Sequence, residues 1–396
     1  MFWSARLATA AGFPFFDANI LPASFEAPPD PAAQEVPDQW VEGEWDQIEK
    51  GAEPAREPVS PFCEICGDSL QSPPLWTWYN GSRIWSHSRP RRATLSFDYN
   101  NHKALTTKMF NLDVAAGYET RVRRYLGTDI GNHNQYVEFV YWGLNEWSAM
   151  ETAQGTTVSY DLNGNTFTGG SLFTEYGTDF DYATWQQMRY RSNIHNFELN
   201  LLIEPRGGKD RMAMLPNGRW QRRCREGAYL TWLFGFRGMS LDEGYIFTSS
   251  GFLSDTNGTT PLWGQTAIRT HNDMFGLQAG AILTVRKHRL RWGASVKAAP
   301  MINWSDQFTD IYQLNDTDYQ GYASNDGAAF MGEVGIFADY RLTDFITVHA
   351  GFDMGWLVGM ALAPEQVDYR LPDTPTVNDN GYVFFQGLTL GFDTRW

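Results

Sequence analysis

The sequence predicts an all-β chain: a transmembrane antiparallel up-and-down β-barrel of about ten strands, with an irregular N-terminal extension before it. Three observations carry this expectation. Long segments alternate with period two, apolar on one face and polar, charged or small on the other. The links between them differ in length: 286–289 and 342–345 are very short, whereas 150–188, 244–272, 303–327 and 362–381 are long and rich in Asn, Asp, Gly and Thr. The last segment, YVFFQGLTLGFDTRW, is amphipathic and closes on Trp396.

Residues 1–90 read as an acidic, Pro-rich extension on the periplasmic side. Up to residue 74 they hold 13 Asp/Glu against 3 Lys/Arg, and 11 of the 19 prolines. That composition suits an extended or disordered segment better than a packed core. An export signal, which an outer-membrane address requires, is not apparent in MFWSARLATAAGFPFF, which lacks a distinct apolar h-region.

The barrel is expected over 91–396, with strands near 92–99, 108–125, 135–149, 189–204, 227–243, 273–287, 289–302, 328–342, 345–361 and 382–396. The clearest alternation runs through Phe330, Gly332, Val334, Ile336, Ala338, Tyr340 and Leu342 on one face, with Glu333, Asp339 and Arg341 on the other. The next segment repeats it, with Ile346, Val348, Ala350, Phe352, Met354, Trp356 and Val358 against His349 and Asp353. Several segments exceed the 9–11 residues with which a tilted strand crosses a bilayer. No stretch has the roughly 20 nearly uncharged apolar residues of a membrane-spanning helix. The even strand count puts both ends of the barrel on the short-turn side. The long basic link 205–226 falls on that side too, against the usual pattern of short periplasmic turns.

Alternation alone does not say which face is inside. A soluble sheet buries its apolar face, and a soluble secreted β-sandwich is the rival architecture. Isolated charges within the strands favour the inverted arrangement. Asp113, Glu138, Glu198, Arg237, Arg286, Arg291, Glu333, Asp339, Arg341, Asp353 and Asp393 are expected to face the lumen and neutralise one another there. A barrel of about eight strands is filled by side chains, whereas 16-stranded porins leave a wide channel. Ten strands therefore suggest a plugged lumen with a structural or surface-display role, and a narrow porin-like channel for ions or small solutes is the alternative. Trp and Tyr near the strand ends fit interfacial girdles. Phe392 and Trp396 read as a C-terminal signal for the barrel-assembly machinery. Outer-membrane lipids, that machinery, and a second copy or envelope neighbours are the expected partners.

The net charge of -15 argues against a nucleic-acid partner, since phosphate binding needs clustered Lys and Arg. No cofactor or bound metal is expected. The three cysteines, Cys63, Cys66 and Cys224, leave several readings open: a disulfide from Cys63 or Cys66 to Cys224, half a zinc knuckle completed by Cys224 with His87 or His102 as fourth ligand, or unpaired or locally paired thiols without a role. Acidic stretch 305–327 matches no known Ca²⁺ loop spacing. No enzyme is expected. A barrel lipase needs a serine beside a histidine on its outer side. His349 lies on the polar face and His195 has no evident serine partner, and no G-x-S-x-G, P-loop or H-E-x-x-H motif occurs.

Four internal segments, RYRSNIHNFELNLL (189–202), YLTWLFGFRGMSLDE (229–243), NDMFGLQAGA (272–281) and GEVGIFADYRLTDFITVHAGFDMGWLVGMALAPEQV (332–367), together with GYVFFQGLTLGFDTRW (381–396), resemble the porin-like outer-membrane β-barrels of planctomycete-type bacteria. The APEQV stretch is the most specific part. The likeness covers about the last 300 residues. It implies an outer-membrane barrel and brings no catalytic residues with it.

Overall fold

The computed structural model describes residues 74–396 except 98–102, 113, 132, 155–177, 206–210, 215–219, 224–226, 256–257, 288, 344 and 369–374. Ten antiparallel strands close into one ring. In chain order the elements are β1 (Trp76–His87), β2 (Thr94–Phe97), β3 (Lys103–Thr106), β4 (Ala115–Thr128), β5 (His133–Gln154), β6 (Ala183–Pro205), β7 (Arg211–Met214), β8 (Trp220–Arg223), β9 (Gly227–Asp255), β10 (Gly258–Lys287), β11 (Leu290–Gln313), β12 (Tyr319–Arg341), β13 (Ile346–Met360) and β14 (Gly381–Arg395). Strands β2 and β3 pair with each other outside the ring, as do β7 and β8. The ring closes where β1 pairs with β14, from Thr77 opposite Arg395 to His87 opposite Phe385. A single closed ring is not a sandwich of two sheets, so the β-sandwich alternative is set aside.

The ring is inside-out. On β11, Leu290, Trp292, Val296 and Ile302 are exposed, while Ala299, Met301 and Asn303 between and beyond them are buried. On β10, Phe275, Leu277 and Leu283 are exposed, while Gln278 and Thr284 point inward. The same alternation holds on β6, β9, β12, β13 and β14, where Phe197, Phe236, Ile336, Phe352 and Leu388 face out. Thirteen residues of a tilted strand, Leu290 to Ile302, rise on the order of 25–30 Å, the height of an outer-membrane apolar band. The band is flanked by Trp78, Trp232, Trp292, Trp304, Trp356 and Tyr382, all exposed. No sheet could leave so much apolar surface in water. The chain is an outer-membrane β-barrel.

Charge returns to the outer face just beyond Phe275. Asp273, His271 and Asp242 are exposed there, and Arg191 pairs with Glu146 across β6 and β5. Six strands, β5, β6 and β9–β12, continue past this border as a tall curved wall. Strands β1, β4, β13 and β14 stop near it, at His87, Ala115, Met360 and Gly381.

Several boundaries differ from the sequence expectation. The first barrel strand is Trp76–His87, inside the stretch assigned to the extension, and the segment expected at 92–99 is the short β2 outside the ring. The reason lies in its outer face. Asn80, Ser82 and Ser86 alternate with buried Tyr79, Arg83 and Trp85, so β1 has no apolar stripe for periodicity to detect. The strand expected at 108–125 begins at Ala115, because Thr107–Met109 is a 3-10 turn. The long links expected at 244–272 and 303–327 are mostly strand, leaving only 256–257 and 314–318 as connections. Above the apolar band the outer face turns polar and charged while the inner face mixes apolar residues such as Tyr245, Phe247 and Ile268 with Thr and Gln, and the alternation signal fades. Link 205–226 does share an end with turns 129–132, 288–289 and 342–345, and carries the β7–β8 hairpin.

Candidate functional site

The lumen is filled in layers. Nearest the short-turn end, Arg123 donates to Glu138 at 2.7 and 3.0 Å, Arg286 pairs with Glu204, and Arg291 and His349 both reach Asp339 at 2.5 Å. Arg341 and Asp393 also lie on the inner faces of their strands, half-buried.

At mid-height sits a denser cluster. Arg83 donates to Glu119 at 2.8 Å and to Glu333 at 3.4 Å, and Arg121 donates to Glu119 at 2.6 Å. Arg237 donates to Asn196 at 2.7 Å and to Glu333 at 3.0 Å, and lies 3.3 Å from Glu198. Lys297 Nζ is 3.1 Å from Glu198, whose carboxylate also accepts from Asn196, Asn200 and Gln278. Asp353 accepts from Thr389 and stands 3.9 Å from Arg83. Four cations, Arg83, Arg121, Arg237 and Lys297, thus face four carboxylates, Glu119, Glu198, Glu333 and Asp353. Neutralised charge of this kind can stay in a low-dielectric interior, where an unpaired ion cannot.

Every described residue of the expected lumen set points inward, and Asp113 lies outside the described residues. Arg83, Glu119, Arg121 and Lys297 lie outside the lumen set expected from sequence. Arg83 belongs to the strand hidden from periodicity. Lys297 stands directly opposite Glu333 on the neighbouring strand, a cross-strand pairing of opposite charge that register would have revealed.

Above the charges lies an aromatic and methionine layer. Trp85 stacks on Phe385 with ring centroids 5.4 Å apart and leans on Trp142 at 5.0 Å. The Arg83 guanidinium sits 4.5 Å from the Trp85 ring, joining this layer to the charged one. Trp147 donates its indole N–H to the Trp85 carbonyl at 3.0 Å. Met239, Met274, Met301 and Met331 fill the remaining space. Unbranched methionine side chains pack well into such irregular gaps.

The link after β13 folds back into the barrel mouth. Asn272 holds both backbone groups of Ala361, donating to its carbonyl at 2.9 Å and accepting from its N–H at 2.8 Å. Asn303 donates to the Gly359 carbonyl at 2.9 Å. Glu243 accepts from the Ala363 N–H at 2.9 Å and from the Tyr190 hydroxyl at 2.5 Å. The segment 359–363, which leads into APEQV, is therefore anchored by its backbone and seats that stretch as a stopper. Phe110, Leu95 and Leu105 from the segment after β1 pack beside it, against Tyr190, Tyr245 and Phe247 of the wall.

Glu243 lies above the apolar band. Burial pushes its carboxyl up to about 7, with the Glu365 charge adding to the rise, although the Tyr190 and Ala363 donors oppose it. The folded form then holds this proton more tightly than the unfolded chain does. Its stabilising contribution is complete below the ordinary glutamate range and is lost as pH rises through about 7. Cleavage of the 361–380 link by added protease is expected to speed up between pH 6 and pH 8, with Glu243→Gln removing the pH dependence; a flat profile for the unaltered protein would show that Glu243 does not hold the link.

On the outer face of the wall a shallow groove of about 820 Å³ is lined by Met150, Ile246, Arg189, Arg191, Arg269 and Tyr312. His195 is on the outer side, 3.0 Å from the Tyr141 hydroxyl, and His349 is held by Asp339; no serine is bonded to either ring among the described residues. Among those residues no group of His, Cys, Asp and Glu is placed to hold a metal ion. Cys63, Cys66 and Cys224 lie outside them. Phe392 is exposed on the apolar band, and Trp396 exchanges backbone hydrogen bonds with Trp76 at the closing seam.

No family model matches the chain, and no curated protein is similar to it. Among solved structures it is similar to the outer-membrane protease OmpT of Escherichia coli, at 12% identity over 81% of this chain and 96% of that one, with a TM-score of 0.40. OmpT of Vibrio cholerae, expressed in the outer membrane, matches at 11% identity over 83% of this chain and 100% of that one, with a TM-score of 0.11.

Proposed function

We propose that this barrel is stoppered and works as a structural or display element of the outer membrane, presenting its tall wall to the outside, and that it is neither a diffusion channel nor an enzyme. The observation that carries this reading is the stacked filling of the lumen: the balanced charged cluster, then Trp85, Trp142 and Trp147, then the backbone-anchored 361–365 segment. The exposed groove on the wall supports the display role, because it offers a partner a recessed apolar surface rimmed by guanidinium groups. Assembly through Phe392 and Trp396, and membership of the porin-like planctomycete-type barrels, belong to the same reading.

Planar-bilayer recording tests it. The purified, heat-modifiable protein is expected to give no single-channel steps. A variant lacking 361–368 and carrying Trp85→Ala and Trp147→Ala is expected to give small steps or unstable openings. Discrete steps from the unaltered protein would overturn the stoppered reading in favour of a narrow pore.

A further inference from the structure

The apolar band is continuous around most of the ring, but it is interrupted on β1 and its neighbours. The outer face of β1 reads Trp78, Asn80, Ser82, Ile84, Ser86. Thr120 of β4 stands opposite Asn80, and Tyr118 opposite Ser82. Gln386 of β14 stands opposite Ser86. On β10, β11 and β13 the outward positions at this height are Phe, Leu, Ala, Val, Ile, Pro, Trp or Met throughout. The stripe runs most of the way up the band, because the register sets Asn80 beside Phe392, Ile84 beside Leu388 and Ser86 beside Gln386.

Part of this polarity is satisfied within the barrel. The Tyr118 hydroxyl donates to Asn80 Oδ1 at 2.7 Å, Trp78 Nε1 donates to Thr120 at 2.9 Å, and the Ser82 and Ser86 hydroxyls donate to the carbonyls of Gly117 and Gln386. The amide hydrogens of Asn80 and Gln386 have no acceptor among the described residues. Hydrocarbon offers none either, and unsatisfied polar groups on a lipid-facing surface are strongly disfavoured.

We propose that this stripe is the membrane-embedded interface with a second copy of the same chain. Three features favour that occupant. The stripe carries donors and acceptors without net charge, which suits neither a lipid phosphate nor an acidic partner. An amide such as Asn80 can both donate and accept, so it is self-complementary across a two-fold axis, where each residue meets the same patch. A second copy also carries its polar groups at matching depths in the same bilayer. Small Ser82 and Ala116 permit the close approach that membrane interfaces use. The wall does not obstruct it, because β1, β4, β13 and β14 end near the border of the band while β9 and β10 run on to Asp255 and Gly258.

The test uses the full chain with Cys63, Cys66 and Cys224 changed to serine, reconstituted at low density into phosphatidylcholine vesicles. Mild oxidation of Ser82→Cys, or of Ile84→Cys as a second probe, is expected to give mostly a disulfide-linked dimer. Val296→Cys, on a different strand of the band, is expected to stay monomeric. Asn80→Leu with Ser82→Val, once shown to keep its heat-dependent gel mobility, is expected to lower the dimer fraction at least tenfold by photobleaching counts. Equal crosslinking at positions 82 and 296, a protein that remains monomeric, or an unchanged dimer in the double variant would overturn the proposal. Capture of residues 1–73 of the same chain, or of a different protein in native membranes, by a photo-crosslinker attached to the cysteine at position 82 would overturn it as well.

Discussion

Replacing Arg237 with methionine is expected to cost about 3–5 kcal/mol of stability in lipid vesicles, the range for breaking a buried ion pair by removing one partner. Arg237 is fully buried and bridges Asn196, Glu333 and Glu198. Its loss leaves two buried carboxylates competing for Lys297 and Arg83. Urea unfolding of the reconstituted barrel, followed by gel mobility, measures the loss. Adding Glu198→Gln should recover part of it, because one of the stranded charges is then gone. A loss below about 1 kcal/mol would mean that solvent enters the cluster and screens it, which also bears on the stoppered lumen.

Gly387→Val is expected to abolish the closed barrel. At this position in the seam between the first and last strands, a Cβ would lie 1.9 Å from the Ile84 carbonyl oxygen and 2.9 Å from Trp85 Cα. Both are backbone atoms that cannot turn away as a side chain can. The ring would have to open where β1 meets β14, leaving unpaired backbone groups in the bilayer. The heat-modifiable band should disappear from membrane extracts. Gly244→Val is the control, since nothing lies within 4 Å of a Cβ there, and it should assemble normally. A heat-modifiable Gly387→Val protein would show that the seam is looser than its register implies.

Fold class, strand number and the inside-out arrangement were legible because a two-residue period is strong wherever one face meets lipid. Phe330–Leu342 and Ile346–Val358 show this best, and their inward partners Glu333, Asp339 and Asp353 were readable for the same reason. Legibility failed where lipid does not impose the contrast. Strand β1 has a polar outer face, so its inward Arg83, a member of the central cluster, went unread. Beyond Phe275 on β10 and Ile302 on β11 each face mixes polar and apolar residues, with Ile268 and Ile311 buried but Thr266, Thr270 and Thr309 beside them, and tall strands resembled loops. The stopper was out of reach for another reason. APEQV is short, mixed in polarity and Pro-containing in a way that suits many loops. Its placement depends on Glu243, which holds the Ala363 N–H, and on Asn272 and Asn303, which hold Ala361 and Gly359 just before it, from strands about 60 to 120 residues away.

The inside-out barrel is tested most directly by a cysteine scan along β11 from Leu290 to Ile302, with a fluorophore at each position and brominated lipid as quencher. The expected result is quenching with a period of two: strong at 290, 292, 294, 296, 298, 300 and 302, and weak at the positions between, where side chains such as Lys297 and Ala299 face the filled lumen. Quenching at the odd positions, or a protein that stays soluble without detergent and shows no quenching, would contradict it.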